Sequence, residues 1–349
     1  MPWQATTIVA RLGTALGLRR RWRDAASVRR AMRLAERASG GAAPVAAQRA
    51  FDRALAGVSE EERYQITKFV VDFDPGTRAV VQRALASGAP ATAVIVLCRG
   101  WKGLTAAERG LALGPAREAK QGPVSLAGAP AEQADDTMCG AAAMAIMLMM
   151  GDPFVGIWLA SGRTFSPHVP PEVERIPRRA WLMTPAERWE ALQRSIHVES
   201  VRRGFLLLVP WPKSLGTPPW RVDNHTRFFG LKFHGGIVDD TDESELDAMI
   251  THARAALADG IPVPIYASGD SARGLDTVVP RHVVLLTHAI DGGFLAYEPS
   301  SGAQHFVSDR QLAQGGKGLR ALGNWSHVSW MILPKAKADP KPSVAGGRR

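Results

Sequence analysis

The spacing of apolar positions changes character about a third of the way along the chain. Before residue 120 it favours helices. Val28, Met32 and Leu34 stand among arginines in a short amphipathic pattern over 25–38. Ser59-Glu-Glu-Glu predicts a helix start, with Glu62 three residues after Ser59 as in a capping box. Asp74-Pro75-Gly76 reads as a turn, and 77–86 as the next helix. The apolar run 91–97 fits a strand or a buried helix, because so short a run carries no period that separates them. Glycines and prolines then collect between 114 and 130, which reads as a linker.

After residue 130 the pattern turns to strands. A helix over about 139–150 comes first. The stretch 152–203, rich in Pro, Arg and Trp, reads as irregular apart from one helix over 184–196 with Pro185 at its first position. Strand-like runs follow at 205–209, 228–233, 263–267, 282–287, 293–297, 304–307 and 328–333, interrupted by a helix over 243–258. One apolar helix ahead of a set of antiparallel strands is an α+β layout. The expected organisation is a helical, basic N-terminal region (1–120), a main domain (121–335) with an insertion at about 152–215, and a disordered basic tail (336–349).

Composition narrows this picture. The chain has 349 residues, 46% of them apolar, which suffices for a full core in one large domain plus a smaller one, or in two domains. The net charge of +10 sits at the ends. Residues 1–50 hold ten Arg against two acidic residues, and 335–349 hold three Lys, two Arg and one Asp, so the body is close to neutral. Nucleic acid or an acidic membrane surface is therefore a partner only through the basic N-terminus. A solvated helix face and a floppy tail are the plainer explanation, since no groove-reading motif accompanies the charge. Cys98 and Cys139 make neither a metal spacing nor a disulfide framework. The longest apolar run, 138–151, falls short of the roughly 20 residues a bilayer requires. Near the N-terminus the mildly apolar run 6–18 is broken by Arg11 and followed, not preceded, by arginines. The expectation is a soluble, cytoplasmic protein, with export by another route left open. Nothing in the sequence sets an oligomeric state.

The chemistry concentrates in two places. Gln133-Ala-Asp-Asp-Thr-Met-Cys139-Gly140 leads into an Ala- and Met-rich helix. A helix N-terminus stabilises a thiolate through its dipole and free N–H groups, and Gly140 leaves room beside the sulfur. Asp136 or Thr137 is positioned to cap the helix, whereas Asp135 and Asp136 would oppose ionisation if they faced the thiol. Taken alone, such a cysteine is more often a small core residue. The second place is Pro280-Arg281-His282, which opens an apolar strand, followed by a Gly292-Gly293 turn and a strand ending in Glu298-Pro-Ser-Ser-Gly302. Paired as a hairpin, these strands bring His282 and Glu298 together, and a carboxylate is suited to orient a histidine base and fix its tautomer.

This pattern resembles the papain-like cysteine peptidases of the bacteriocin-leader (double-glycine) type and their free-standing relatives. Those have a Gln six residues before Cys-Gly, and a His opening a strand with an Asp-Pro pair about sixteen residues later, followed by a Gly turn. Here Gln133 and Cys139 are six apart, His282 and Glu298 sixteen apart, and Pro299 and Gly302 follow. The run Leu257-Ala-Asp-Gly-Ile-Pro-Val also resembles the family's approach to the histidine strand. The resemblance covers about 130–310 and implies a Cys-bearing helix packed on an antiparallel sheet. It implies Cys139 as nucleophile, His282 as general base and then acid, Glu298 as the orienting carboxylate and Gln133 as an oxyanion donor. The implied activity is hydrolysis of a peptide or amide through a thioester, on a peptide or protein substrate and without a cofactor. The sequence departs from the family in having Glu298 in place of Asp, Met138 before the cysteine, and about 140 residues between Cys139 and His282. An alternative on the same fold is a weak or inactive domain that binds peptides or proteins.

Other polar groups are weaker candidates. His288 and His305 read as hairpin or surface histidines, and His225 and His234 lack a zinc spacing. The acidic run from Asp239 to Glu245 lacks the glycine of a calcium loop and reads as a helix N-terminal cluster. Trp181, Trp211 and Trp220 fit either a groove or core packing.

Overall fold

A computed structural model describes residues 4–16, 45–201, 227–269 and 280–335. The expected helix over 25–38, the expected strand over 205–209, His225, Trp211, Trp220 and the expected tail lie outside the described residues. The fold is α+β, helices combined with an antiparallel sheet.

Helix α1 (Ala5–Ala15) comes first, and α2 (Ala46–Ala56), α3 (Glu60–Asp72), α4 (Pro75–Ala86), α5 (Ala91–Gly100) and α6 (Ala106–Ala112) form a helical group. The capping box at Ser59 is present, Ser59 Oγ accepting the Glu62 N–H while Glu62 accepts the Ser59 N–H. Asp74-Pro75 does more than turn the chain: Asp74 caps α4 through the N–H groups of Gly76 and Thr77, with Pro75 at the first helical position. The ambiguous apolar run is helical, as α5. Its Val94 and Leu97 are buried in a core with Ile66, Val80, Val81 and Leu85.

The glycine- and proline-rich stretch is built into the fold. Strand β1 (Gly122–Pro123) pairs with residues 303–304, and β2 (Ser125–Leu126) forms a hairpin with β3 (Ala129–Pro130). Helix α7 (Cys139–Gly151) follows, and then the region expected to be irregular proves largely helical. It holds α8 (Pro153–Ser161), α9 (Pro171–Glu174), a 3-10 turn (Arg178–Leu182) and α10 (Pro185–Val201). Prolines that break the apolar stripe there occupy helix starts at Pro153, Pro171 and Pro185.

The expected strands at 263–267, 282–287, 293–297, 304–307 and 328–333 are present as β5 (Val263–Ser268), β6 (His282–Ile290), β7 (Gly293–Glu298), β8 (Ala303–Ser308) and β9 (His327–Pro334). The expected strand at 228–233 is displaced: Phe228 and Phe229 lie in a turn, and β4 runs Phe233–Ile237. The seven strands order as β1-β8-β7-β6-β5-β9-β4, with every neighbouring pair antiparallel. Every residue of β5 and β7 is buried, so both faces of the central sheet are covered. Helix α7 packs on β6, while α11 (Glu243–Ala258) packs on β5, β6 and β9 with α12 (Asp309–Gln314) against β7 and β8. Asp242 caps α11, whereas Asp239 and Asp240 bind α1 instead. Thr7 donates to Asp240 at 2.6 Å and Arg11 meets Asp239 at 3.2 Å. Among the described residues no single helix is long and apolar enough to cross a membrane.

Candidate active site

The hairpin of β6 and β7 sets the first half of the site. Leu285 pairs with Tyr297, so the same register continued by one residue places Glu298 across from Val284. His282 lies two residues along β6 from Val284, hence on the same face and diagonal to Glu298. His282 Nε2–H donates to Glu298 Oε1 at 2.8 Å. The extra methylene of glutamate is absorbed by the turn that follows, whose backbone holds the carboxylate. The Ser300 N–H donates to Oε1 at 2.7 Å and the Ser301 N–H to Oε2 at 2.9 Å. His305 Nε2 meets Ser301 Oγ at 2.9 Å, one step behind this turn, while His288 sits toward the far end of β6 against the Arg117 carbonyl.

The second half arrives on α7. Cys139 opens the helix, and all its residues except Met150 are buried. Such a helix needs no amphipathic stripe, because sheet and helices surround it. The cap position is Met138, not Asp136 or Thr137 as the sequence suggested, and no side chain caps the helix. The first-turn N–H groups near the sulfur are thus left to the helix dipole and to an incoming anion. Asp135 spends its carboxylate on Thr137, accepting the backbone N–H at 2.9 Å and the hydroxyl at 2.6 Å. These bonds, with the charges of Arg194 and His197, hold its pKa below the ordinary range, and Asp136 is exposed.

Cys139 (3% exposed), His282 (6%) and Glu298 (3%) are all buried, and Cys139 and Glu298 both act on the His282 ring, at the end of the sheet where β6 starts and β7 stops. Burial alone would lower the His282 pKa. Hydrogen bonding to Cys139 and Glu298, and their charges, outweigh burial and raise it to about 9. Burial alone would raise the Glu298 pKa, and the His282 bond, the Ser300 and Ser301 contacts and the imidazolium charge bring it down to about 2. With Nε2 committed to Glu298, Nδ1 is the nitrogen left for the sulfur. Across the neutral range the His282 ring is therefore protonated against an ionised Glu298.

Gln133 is half-buried beside the turn after Glu298. Its N–H donates to the Pro299 carbonyl at 2.8 Å and its Oε1 faces Ser300 Oγ at 3.4 Å. The backbone bond fixes the Gln133 peptide, while its side-chain amide makes only this long contact.

Two contributors were not singled out from the sequence. Gly323, at φ +65°, lies so close to His282 that a Cβ there would sit 2.7 Å from the ring. Tyr297 reaches out of the β7 core to donate its hydroxyl to the Ala131 carbonyl, tying the strand before Glu298 to the segment before Gln133. The Gly323-Asn324 pair marks a turn in the sequence, but nothing local ties that turn to a histidine forty residues earlier. Among the described residues no group of three or more His, Cys, Asp or Glu is placed to hold a metal. Trp181 packs edge-on against Trp158 with Arg178 over its ring, a packing role and not a groove. Comparison of the chain with known families matched no family model, and comparison with curated proteins found no match.

Proposed function

We propose that this chain is a cysteine peptidase or amidase of papain-like fold, working through Cys139, His282 and Glu298 with Gln133 at the oxyanion. The observation that carries the reading is the buried His282, bonded through Nε2 to Glu298 and acted on by Cys139 at the start of α7. A structural histidine needs one partner for each nitrogen. It does not need a thiol at an uncapped helix start on one side and a carboxylate held by two backbone N–H groups on the other.

In the reading proposed, His282 carries the Cys139 proton, and the thiolate attacks the carbonyl carbon of a peptide or amide. The C–S bond forms as the C=O electron pair moves onto oxygen. That oxyanion meets the Gln133 NH2 and the N–H groups opening α7. Collapse breaks the C–N bond as the His282 proton moves to the leaving nitrogen, giving an amine and a thioester. Neutral His282 then takes a proton from water, whose oxygen attacks the thioester carbon. A carboxylic acid leaves and the thiolate–imidazolium pair is restored. Glu298 stays ionised throughout and fixes the ring.

The test uses the full chain with iodoacetamide and a peptide-based thiol electrophile. Labelling is expected at Cys139, to be abolished in Cys139→Ala, and to fall by about 10²–10⁴ in His282→Ala, the range for loss of a general acid–base group. Labelling independent of His282 would sink the reading. Saturable peptide binding without turnover would mark a binding module on the same fold.

A further inference from the structure

The two peptide units flanking Gln133 are gripped by one side chain from another element. Gln193, 0% exposed on α10, donates Nε2–H to the Glu132 carbonyl at 3.3 Å and accepts the Ala134 N–H on Oε1 at 3.0 Å. A carbonyl only accepts and a backbone N–H only donates, so these partners fix which way the Gln193 amide faces. The pairing copies what a neighbouring strand would offer an extended segment. Trp189, one helical turn earlier on the same face of α10, donates Nε1–H to the same Glu132 carbonyl at 2.6 Å.

The opposite side of the segment is closed as well. Besides the Gln133 N–H bond to Pro299, Gly302 comes so near that a Cβ there would lie 2.8 Å from the Glu132 side chain and 3.0 Å from the Ala131 backbone. Residues 131–134 are thus held between the turn that secures Glu298 and the buried face of α10. An oxyanion donor works only within about 2.7–3.1 Å of the developing charge, so the backbone carrying it must not drift.

We infer that Gln193 is a positioning residue for the oxyanion site: by clamping the peptides on both sides of Gln133, it sets the direction in which Gln133 presents its amide. The inference rests on the cysteine-peptidase reading, and two probes separate their failures. Iodoacetamide alkylation reports the thiolate and His282 and forms no oxyanion. Acylation by p-nitrophenyl acetate, read as the p-nitrophenolate burst, passes through one.

Gln193→Leu and the isosteric Gln193→Glu are each expected to slow acylation by about 10²-fold, the cost of an ångström-scale misplacement, and to leave the alkylation rate and its pH profile unchanged. Ionised, Glu at 193 still accepts the Ala134 N–H but sets oxygen against the Glu132 carbonyl, and its loss should ease at low pH, where the protonated carboxyl donates to that carbonyl again; this tests the clamp if the leucine variant fails to fold. In a Gln133→Ala background, either change should cost no further acylation. Losses that add in the double variants would overturn the inference, as would equal losses in acylation and alkylation, which mark a structural role alone. Wild-type alkylation independent of His282, or a burst that survives Cys139→Ala, would overturn the peptidase reading and this inference with it.

Discussion

Gly323 and His282 show how one missing side chain sets the position of a buried histidine ring. At φ +65°, and with its Cβ position 2.7 Å from Cδ2 and Nε2 of the imidazole, residue 323 leaves His282 no slack on the Glu298 side. Gly323→Ala is expected to push the ring off Glu298 and to slow p-nitrophenyl acetate acylation by about 10²-fold. The left-handed backbone adds roughly 1–3 kcal/mol of destabilisation, readable by urea unfolding. Intact acylation in that variant would mean that the ring orientation is set elsewhere. The His282–Glu298 pair also gives stability a pH window. The His282 pKa is raised from 6.5 to about 9, so its contribution is full below 6.5 and is lost as pH climbs through 9. The Glu298 pKa is lowered from 4.5 to about 2, so its contribution is full above 4.5 and is lost as pH falls toward 2. The advantage of wild type over Glu298→Gln should therefore peak between pH 4.5 and 6.5 and shrink on both sides, measured by urea unfolding across pH. A flat difference would refute the pairing.

The elements differ in how they announce themselves. Strands β5 to β9 and helices α7 and α11 were legible because each has an unbroken apolar run or period bounded by turn residues. Helices α8 and α9 were hidden by the prolines that start them, and α5 by the shortness of its apolar run. At the candidate site, Cys139 was legible as a helix start and His282 with Glu298 as a hairpin pair, whereas Gln133 entered only through the family resemblance and its six-residue spacing to Cys139. Gly323, Trp189 and Gln193 were not legible, since their roles exist only once distant elements meet. Arg83 belongs to that second class. It is half-buried on α4 and donates to the Met150 carbonyl and the Ala112 carbonyl, both at 2.8 Å, where α7 and α6 end. Burial drags its pKa down to about 10, still protonated at neutral pH. Arg83→Met would leave both carbonyls unmet, at roughly 1–3 kcal/mol each. Lys at this position should rescue little, because one ammonium does not match two carbonyls held by a planar fork. Equilibrium denaturation of both variants checks this, and full rescue by Lys would contradict it.

On the scale of the whole molecule, two hydrophobic cores meet in α8. Phe154 and Ile157 belong to the core of the helical group, while Val155, Trp158 and Leu159 belong to the core of α7 and the sheet. Between them Gly156 touches α6 so closely that a Cβ would stand 2.5 Å from the Leu111 carbonyl oxygen. A short helix with one face in each core, and no spare distance to its neighbour, should make the cores open together. Each core has its own reporter. Cys98 is buried among the helices and its thiol is pushed up to about 12, so it stays unreactive until that core opens. Amide exchange in β6 reports the sheet. In wild type, Cys98 labelling and β6 exchange are expected to rise at the same urea concentration, the mark of a single cooperative unit. Gly156→Val should force α6 from α8, cost roughly 1–3 kcal/mol as overpacking does, and split the two transitions, with Cys98 labelled first. The main core draws only Ala46, Ala50, Ala86 and Leu111 from the helical group and otherwise rests on α7, α10 and the sheet, which is why the helical side should yield earlier. Coincident transitions in the variant would show that the cores are joined elsewhere, and split transitions in wild type would show that α8 does not join them at all.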